Sequence, residues 1–432
     1  MDKQKSKISI VISMLTAVMI LIVSICGFAC GKKSNNDDGF DYGSLPFYIE
    51  DTSTLGYSYT DEERVRPFWL GNVMRNEIVM VSDKNGVVEG RLLFTPTKVL
   101  AVYDWKLGVE YEEGVDYTVT GNKITIVEGS KIPVFNDDWA YGKNMPAGFN
   151  QVSDMNVVNN NYRLFDCLDE DGNAIKLTYT EGDLIFKNYI HVSYVYDPAE
   201  FDYTLPNTYS NQLPFLTNKL ENGEDFTMVV FGDSISEGCS SSAKWDRHPY
   251  TPFYGDLVKA ELERIYGVNI TLHNMSLGGK TTKWAVGTET ADGGGGNLMK
   301  LRNYAPDLLV IAFGGNDFNG GTTSAVFNAN IETIIENAVM ANENCQIILI
   351  NTFPANSVYK SSNYDYCAEE YRVFKETHPE CVFVDMKLFT DKMLEVKEYY
   401  EVSASNVNHP NDFIHRIYAM NIMCALTDYS VI

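Results

Sequence analysis

Two rhythms of apolar and polar residues divide the chain. Over residues 47–215 they alternate in short runs: "EIVMVSD", "RLLFTPTKVLAVYDW", "DYTVTGNKITIVEG", "AIKLTYT" and "YIHVSYVYD". Successive side chains of a strand point to opposite faces, so this pattern predicts half-buried β-strands. "SDKNG", "TGNK" and "DEDGN" between them are turn signals. "DEDGN" (169–173) lacks the further oxygen ligands of a calcium loop and reads as a hairpin turn. Several short strands at this spacing predict an all-β sandwich or jelly roll over 47–215. "LPNTYSNQLPF" (205–215), with proline near both ends, reads as the linker that follows.

From residue 224 the rhythm changes. "FTMVVFGDS", "ITLHNMS", "LLVIAFGGND", "QIILINTFP" and "VFVDM" are continuous apolar runs, as expected for strands covered on both faces. Between them lie helical patterns: "PFYGDLVKAELERIYG", "NLMKLRNYA", "SAVFNANIETIIENAVMAN" and "DYCAEEYRVFKETH". In the third, Val326, Phe327, Ile331, Ile334, Ile335, Ala338 and Val339 form an apolar stripe at helical spacing. Alternating βα units predict a doubly wound, five-stranded parallel sheet over 224–432. Such sheets build their sites at the C-terminal strand ends.

Polar and glycine residues cluster at those ends. Gly232-Asp233-Ser234 follows the first strand, "NMSLGG" (274–279) the second and "GGND" (314–317) the third. "NVNHPND" (406–412) precedes the last helix. Each alone is ordinary turn chemistry. Together and in this order, the four blocks resemble the SGNH/GDSL hydrolases over about the last 200 residues. The resemblance implies a flavodoxin-like three-layer α/β/α domain, with Ser234 as nucleophile and His409 as its base. It implies an oxyanion hole made by the backbone N–H groups of Ser234 and Gly279 and the side-chain amide of Asn316. Acyl transfer needs these types: a hydroxyl whose proton a base can take, and fixed donors for a developing oxyanion. Asp233 and Asp317 read as loop braces. No cofactor is implied, and no metal-ligand spacing stands in the sequence.

Other motifs lead elsewhere. "GGKTT" (278–282) is not a phosphate loop, because Asn274 stands where its first glycine belongs. "GDSIS" is not the α/β-hydrolase elbow, since Ser236 holds its last position. His248 lies in the first crossover and reads as rim or surface; His415 reads as packed on the last helix. The His block of the family carries an Asp three residues before the His, and here Asn406 takes that place. Three acceptors could orient His409, namely the carbonyl oxygen of Asn406, a backbone carbonyl, or a carboxylate such as Asp412, and a carbonyl oxygen, from Asn406 or from the backbone, is the expectation.

The chain's net charge of −24 excludes nucleic acid as a favoured partner and leaves neutral polymers such as glycans. Lys3, Lys5 and Lys7, the apolar run 8–25 and "GFAC" before a polar "GKKSNNDDG" resemble a bacterial lipoprotein signal. That resemblance implies a signal peptide over 1–29, a lipidated Cys30, a polar tether over 30–46 and a place on the outer face of the cytoplasmic membrane, or secretion. An uncleaved membrane anchor is the alternative. The other six cysteines read as buried free thiols, with a Cys345–Cys381 bridge conceivable after export. A β-rich region ahead of an SGNH domain is similar to the carbohydrate esterases of family two. That likeness implies an acylated carbohydrate substrate, with Trp245 and Trp284 as candidate sugar platforms. A lipid esterase on the same site and a non-catalytic glycan-binding surface protein are the alternatives.

Overall fold

The computed structural model describes residues 40–169, 171–201, 212–288, 295–359 and 366–431. The signal-like segment, Cys30 and most of the tether lie outside the described residues, as does the linker up to 211. Among the described residues no helix is long and apolar enough to cross a membrane.

The five expected C-terminal strands form one parallel sheet. Its order is Ile270–Asn274, Phe226–Gly232, Leu308–Ala312, Gln346–Ile350, Val382–Val384. The first two strands in sequence thus exchange places, and the switch point falls between Phe226–Gly232 and Leu308–Ala312, which pair as Met228↔Leu308 through Gly232↔Ala312. Crossovers leave these two strands on opposite sides, which opens a crevice beyond their C-terminal ends.

Alternation sorts the strand residues into two cores. Met228, Val230, Leu308 and Val310 face one core; Val229, Phe231, Leu309 and Ile311 face the other. The second is closed by helices Asn297–Tyr304, Ser324–Ala341 and Tyr366–Thr377 through Leu301, Ile331 and Tyr371. The first is closed by helices Tyr254–Tyr266, Met386–Leu394 and Asp412–Leu426. Along Ser324–Ala341 the buried line is Phe327, Ile331, Ile334 and Ala338. Val326 and Val339, expected in the stripe, lie at its edges and are exposed.

The N-terminal region is β-rich. Strands Val73–Met80, Tyr189–Tyr196, Pro96–Asp104 and Glu110–Tyr111 form an antiparallel sheet. Tyr117–Thr120, Lys123–Ile126, Val87–Arg91, Ser82–Lys84 and Phe135–Asn136 form a second, and Ala174–Tyr179, Asn161–Leu168 and Asn150–Gln151 a third. The "DEDGN" stretch does turn a hairpin: Asp169 accepts from the backbone N–H groups of Asp171 and Asn173.

The two regions share a core. Tyr194, Ile190 and Val79 belong to the same apolar cluster as Phe413, Ile417 and Val230. Phe68 stacks on Phe413, and Trp69 packs 4.9 Å from Phe389. Every position of helix Asp412–Leu426 is therefore buried. One side faces the parallel sheet and its helices, the other the β-rich region. All six described cysteines are free thiols.

Candidate active site

Ser234 opens a single helical turn, Ser234–Glu237, directly after the first parallel strand. Asp233 caps that turn, its Oδ1 accepting from the N–H of Ile235 at 3.1 Å. Burial pushes the Asp233 carboxyl up to about 7, so it braces the loop rather than supplying a permanent charge. Gly232 is required by space: a Cβ there would lie 2.5 Å from the Ala312 carbonyl oxygen on the neighbouring strand.

Loop 403–411 presents His409. Ser405 Oγ accepts from the N–H groups of Val407, Asn408 and His409, and Ser403 donates to the His409 carbonyl. The loop is thus fixed by its own serines. His409 Nε2 lies 2.9 Å from Ser234 Oγ. Both side chains are nearly buried, Ser234 at 8% and His409 at 7% exposure.

The other oxyanion candidates lie just past the second and third parallel strands. Asn316 is half-buried in the short helix Gly315–Asn319 that follows the third parallel strand, one amide hydrogen donated to the Lys280 carbonyl at 3.1 Å. That bond ties the third block to the second. Gly279 has φ +73 at the tip of the turn closed by Lys280 N to Leu277 O, a conformation that glycine adopts freely. The N–H of Gly278 is already taken by Glu237 Oε2 at 2.6 Å, and Glu237 also pairs with Lys244. Asp317 is structural in geometry: it accepts from the N–H and hydroxyl of Thr282.

Three sequence expectations need correction. Asn406 does not orient His409. Its backbone is left-handed at φ +61, and its amide donates to the carbonyls of Ala140 and Thr178, docking the His loop on the β-rich region. Asp412 accepts from the Ser242 N–H instead, and burial raises its carboxyl to about 6. Trp284 is interior, 5% exposed and edge-on to Phe231, because the short helix Thr282–Ala285 turns it inward. Trp245 does reach the site, but its indole N–H donates to a carboxylate, that of Glu181, at 3.2 Å.

Glu181 is the residue that sequence reasoning missed. Its Oε1 accepts from His409 Nδ1 and from the Tyr179 hydroxyl. Its Oε2 accepts from Ser240 Oγ at 2.5 Å and from Trp245. Burial alone would raise its pKa; the neighbouring His409, with hydrogen bonds from His409, Ser240 and Trp245, outweighs burial and leaves it below the ordinary carboxylate value. Glu181 stands at the end of strand Ala174–Tyr179, far from the four blocks. The only local signal is a lone carboxylate beside glycine at a strand end.

Of the other histidines, His248 is exposed and packs on Tyr250. His415 is fully buried, its Nε2 against the Cys239 carbonyl, and burial lowers it to about 4.

Residues 230–417 match the model of the GDSL-like lipase/acylhydrolase family. This domain belongs to that family. Ser234, Gly279, Asn316 and His409 all fall within the GDSL-like domain; Glu181 falls outside it. No curated protein sequence matches the chain. Among solved structures, a two-domain esterase active on acetylated mannans, crystallised with mannopentaose, is 22% identical at a TM-score of 0.39, over 51% of this chain and 54% of that one. This chain thus spans about half the length of that esterase. A catalytic mutant of Axe2, an acetylxylan esterase from Geobacillus stearothermophilus, is 17% identical at a TM-score of 0.37, over 47% of this chain and 95% of that one. A member of the lipolytic G-D-S-L family from Veillonella parvula is 19% identical at 0.34, over 46% and 96%.

Proposed function

We propose that the protein is a serine esterase that removes short acyl groups, chiefly acetyl, from hydroxyls of a carbohydrate. The observation that carries the reading is the 2.9 Å approach of Ser234 Oγ to His409 Nε2 at the switch point of the sheet. Ser234 Oγ attacks the acyl carbon while His409 Nε2 takes its proton. The carbonyl oxygen becomes an oxyanion facing the Ser234 and Gly279 N–H groups and the second Asn316 amide hydrogen. Collapse breaks the ester C–O bond, and the alkoxide leaves with the proton held on His409. Water then attacks the acyl-serine with His409 again as base, releasing the carboxylic acid and restoring the Ser234 hydroxyl.

Two features support a small acyl group on a sugar. Ser234 and His409 are nearly buried, which favours a small acyl group at the reacting atoms. Beside His409, Tyr179, Phe165 and Tyr359 form a run of aromatic rings, with Phe165 and Tyr359 half-buried and 5.2 Å apart. Such rings offer flat faces to the alcohol part of the ester. In place of Trp284, this wall takes the role of sugar platform in the proposal. A lipidated Cys30 would hold the enzyme at the outer face of the cytoplasmic membrane, where polymeric substrate is met.

A panel of p-nitrophenyl esters from acetate to palmitate, with acetylated xylan beside it, tests the reading. Acetate esters should turn over fastest, acetate should be released from xylan, and Ser234→Ala should abolish both. A maximum at octanoate or beyond would overturn the carbohydrate reading in favour of lipid. Turnover by Ser234→Ala would remove the reaction from this site.

A further inference from the structure

A base can accept the Ser234 proton only if its Nε2 is unprotonated, so something must hold the other proton on Nδ1 of His409. In the GDSL-like domain the position from which that help would come in the family pattern is Asn406, and its amide is spent on the Ala140 and Thr178 carbonyls. The group that meets Nδ1 is the Glu181 carboxylate.

We propose that Glu181, carried by the β-rich region, is the positioning residue of the hydrolytic site, and that the site is complete only where that region docks on the GDSL-like domain. This rests on the hydrolase reading above. The surroundings of Glu181 are built for a carboxylate. Four groups meet its two oxygens, and each can donate: His409 Nδ1, the Tyr179 hydroxyl, the Ser240 hydroxyl and the Trp245 indole. An ionised carboxylate accepts only, so all four donors are used and the imidazole is held in the tautomer that leaves Nε2 free. The main chain of Glu181 is pinned from both sides: its N–H donates to Val157 O at 2.8 Å, and Arg247 donates to its carbonyl. Tyr179 and Val157 belong to the β-rich region, while His409, Ser240, Trp245 and Arg247 belong to the GDSL-like domain. The carboxylate therefore sits on the seam, gripped by the loop of the first crossover. The β-rich region is then a part of the active centre and not only an appended module.

A glutamine at 181 keeps the shape and changes the logic. Its amide nitrogen cannot face Trp245, which only donates. It must instead face Tyr179, whose hydroxyl can turn to accept, and His409. His409 then accepts at Nδ1 and carries its proton on Nε2, the wrong tautomer. By the magnitude for Asp-to-Asn in a serine protease triad, Glu181→Gln should lower kcat by ~10⁴ with KM changed less than about fivefold. Removing the conflict should restore the tautomer. Trp245→Phe added to Glu181→Gln lets the amide turn round, and kcat should rise about tenfold or more above Glu181→Gln. Glu181→Asp keeps an acceptor-only group, and it too should exceed Glu181→Gln by about tenfold or more. A Glu181→Gln rate within about tenfold of wild type overturns the proposal, as does the failure of either second variant to exceed Glu181→Gln, the result expected of general structural damage. Ser234→Ala in the same assay separates the two readings. Turnover by it sinks the hydrolase reading at this site; a dead Ser234→Ala beside a fully active Glu181→Gln sinks only the assignment of Glu181.

Discussion

Lys397 provides the sharpest test of whether the two regions stand or fall together. It lies in the GDSL-like domain, after helix Met386–Leu394, yet its ammonium is inserted into the β-rich region. Its side chain and that of Glu77 are both fully buried, 2.7 Å apart. The other two donor positions go to the carbonyls of Ile78 at 3.2 Å and Arg91 at 2.8 Å, so all three ammonium hydrogens are used. Glu401 lies 3.8 Å away as a second acid. At 2.7 Å and an effective dielectric near 20, the Glu77–Lys397 attraction is about 6 kcal/mol before desolvation is set against it. Lys397→Met removes the counter-charge and leaves Glu77 with only the Tyr194 hydroxyl and the Leu93 N–H. Breaking a buried pair in this way costs about 3–5 kcal/mol. Neutralising the survivor should recover part of it, so Glu77→Gln with Lys397→Met should be more stable than Lys397→Met alone. The assay is urea unfolding followed by tryptophan fluorescence and by ester turnover. With Trp245 and Trp284 replaced by Phe in the background, the remaining Trp69, Trp105 and Trp139 report on the β-rich region, while turnover reports on Ser234 and His409. Both signals should move to lower urea together. A loss below about 1 kcal/mol, or a GDSL-like domain still active after the β-rich region has unfolded, would refute the argument.

Two further predictions concern chemistry and place. Asn316→Ala should lower kcat by ~10²–10³ as one oxyanion donor lost, with melting little changed because only one bond, to Lys280 O, is removed with it; an unaltered rate would take Asn316 out of the oxyanion hole. Cys30→Ser should move the protein from the membrane fraction to the soluble one, a single acyl chain being a weak anchor and two being needed for a stable one; retention at the membrane would favour an uncleaved helix over residues 8–25.

What could be read from the chain was what is local. A strand followed by Gly-Asp-Ser, or by Gly-Gly-Asn-Asp, states its own geometry. The strand is apolar on both faces, the glycine is forced by close neighbours (the Ala312 carbonyl at Gly232, the Cys367 side chain at Gly314), and the polar residue lands at the sheet edge. That pattern locates Ser234 and Asn316 at the sheet edge; the pairing of Ser234 with His409, which precedes a helix and not a strand, is what the family resemblance implies, and the structure brings the two to hydrogen-bond distance. Where sequence and structure part, one cause recurs: proximity along the chain does not fix proximity in space. Asn406 is three residues from His409 but points away from it, and Trp284 is five residues past Gly279 but lies in the core. Glu181, 228 residues from His409, is the group that touches it.

The same cause explains why the boundary between the two rhythms is not a boundary between two cores. Periodicity reports which positions of one element are apolar; it does not report what covers them. Helix Asp412–Leu426 carries Asp412, His415 and Arg416 on one side among its apolar residues, and read alone it would leave that polar face to water. Instead that face is buried too, with Arg416 donating to the carbonyls of Arg64, Arg75 and Asn76. A guanidinium taken out of water must find acceptors, and here strand Val73–Met80 and the end of helix Asp61–Val65 supply them. The helix that begins three residues after His409 is thereby fastened to the β-rich region by its own charged side chain. Asn406 fastens the loop just before His409 to the same region. With Glu181 on the imidazole itself, His409 is tied to the β-rich region on both sides and at its ring. The orientation of His409 is therefore set across the seam rather than within the GDSL-like domain, and a perturbation of the β-rich region that loosens the seam should reach Ser234 through His409 first.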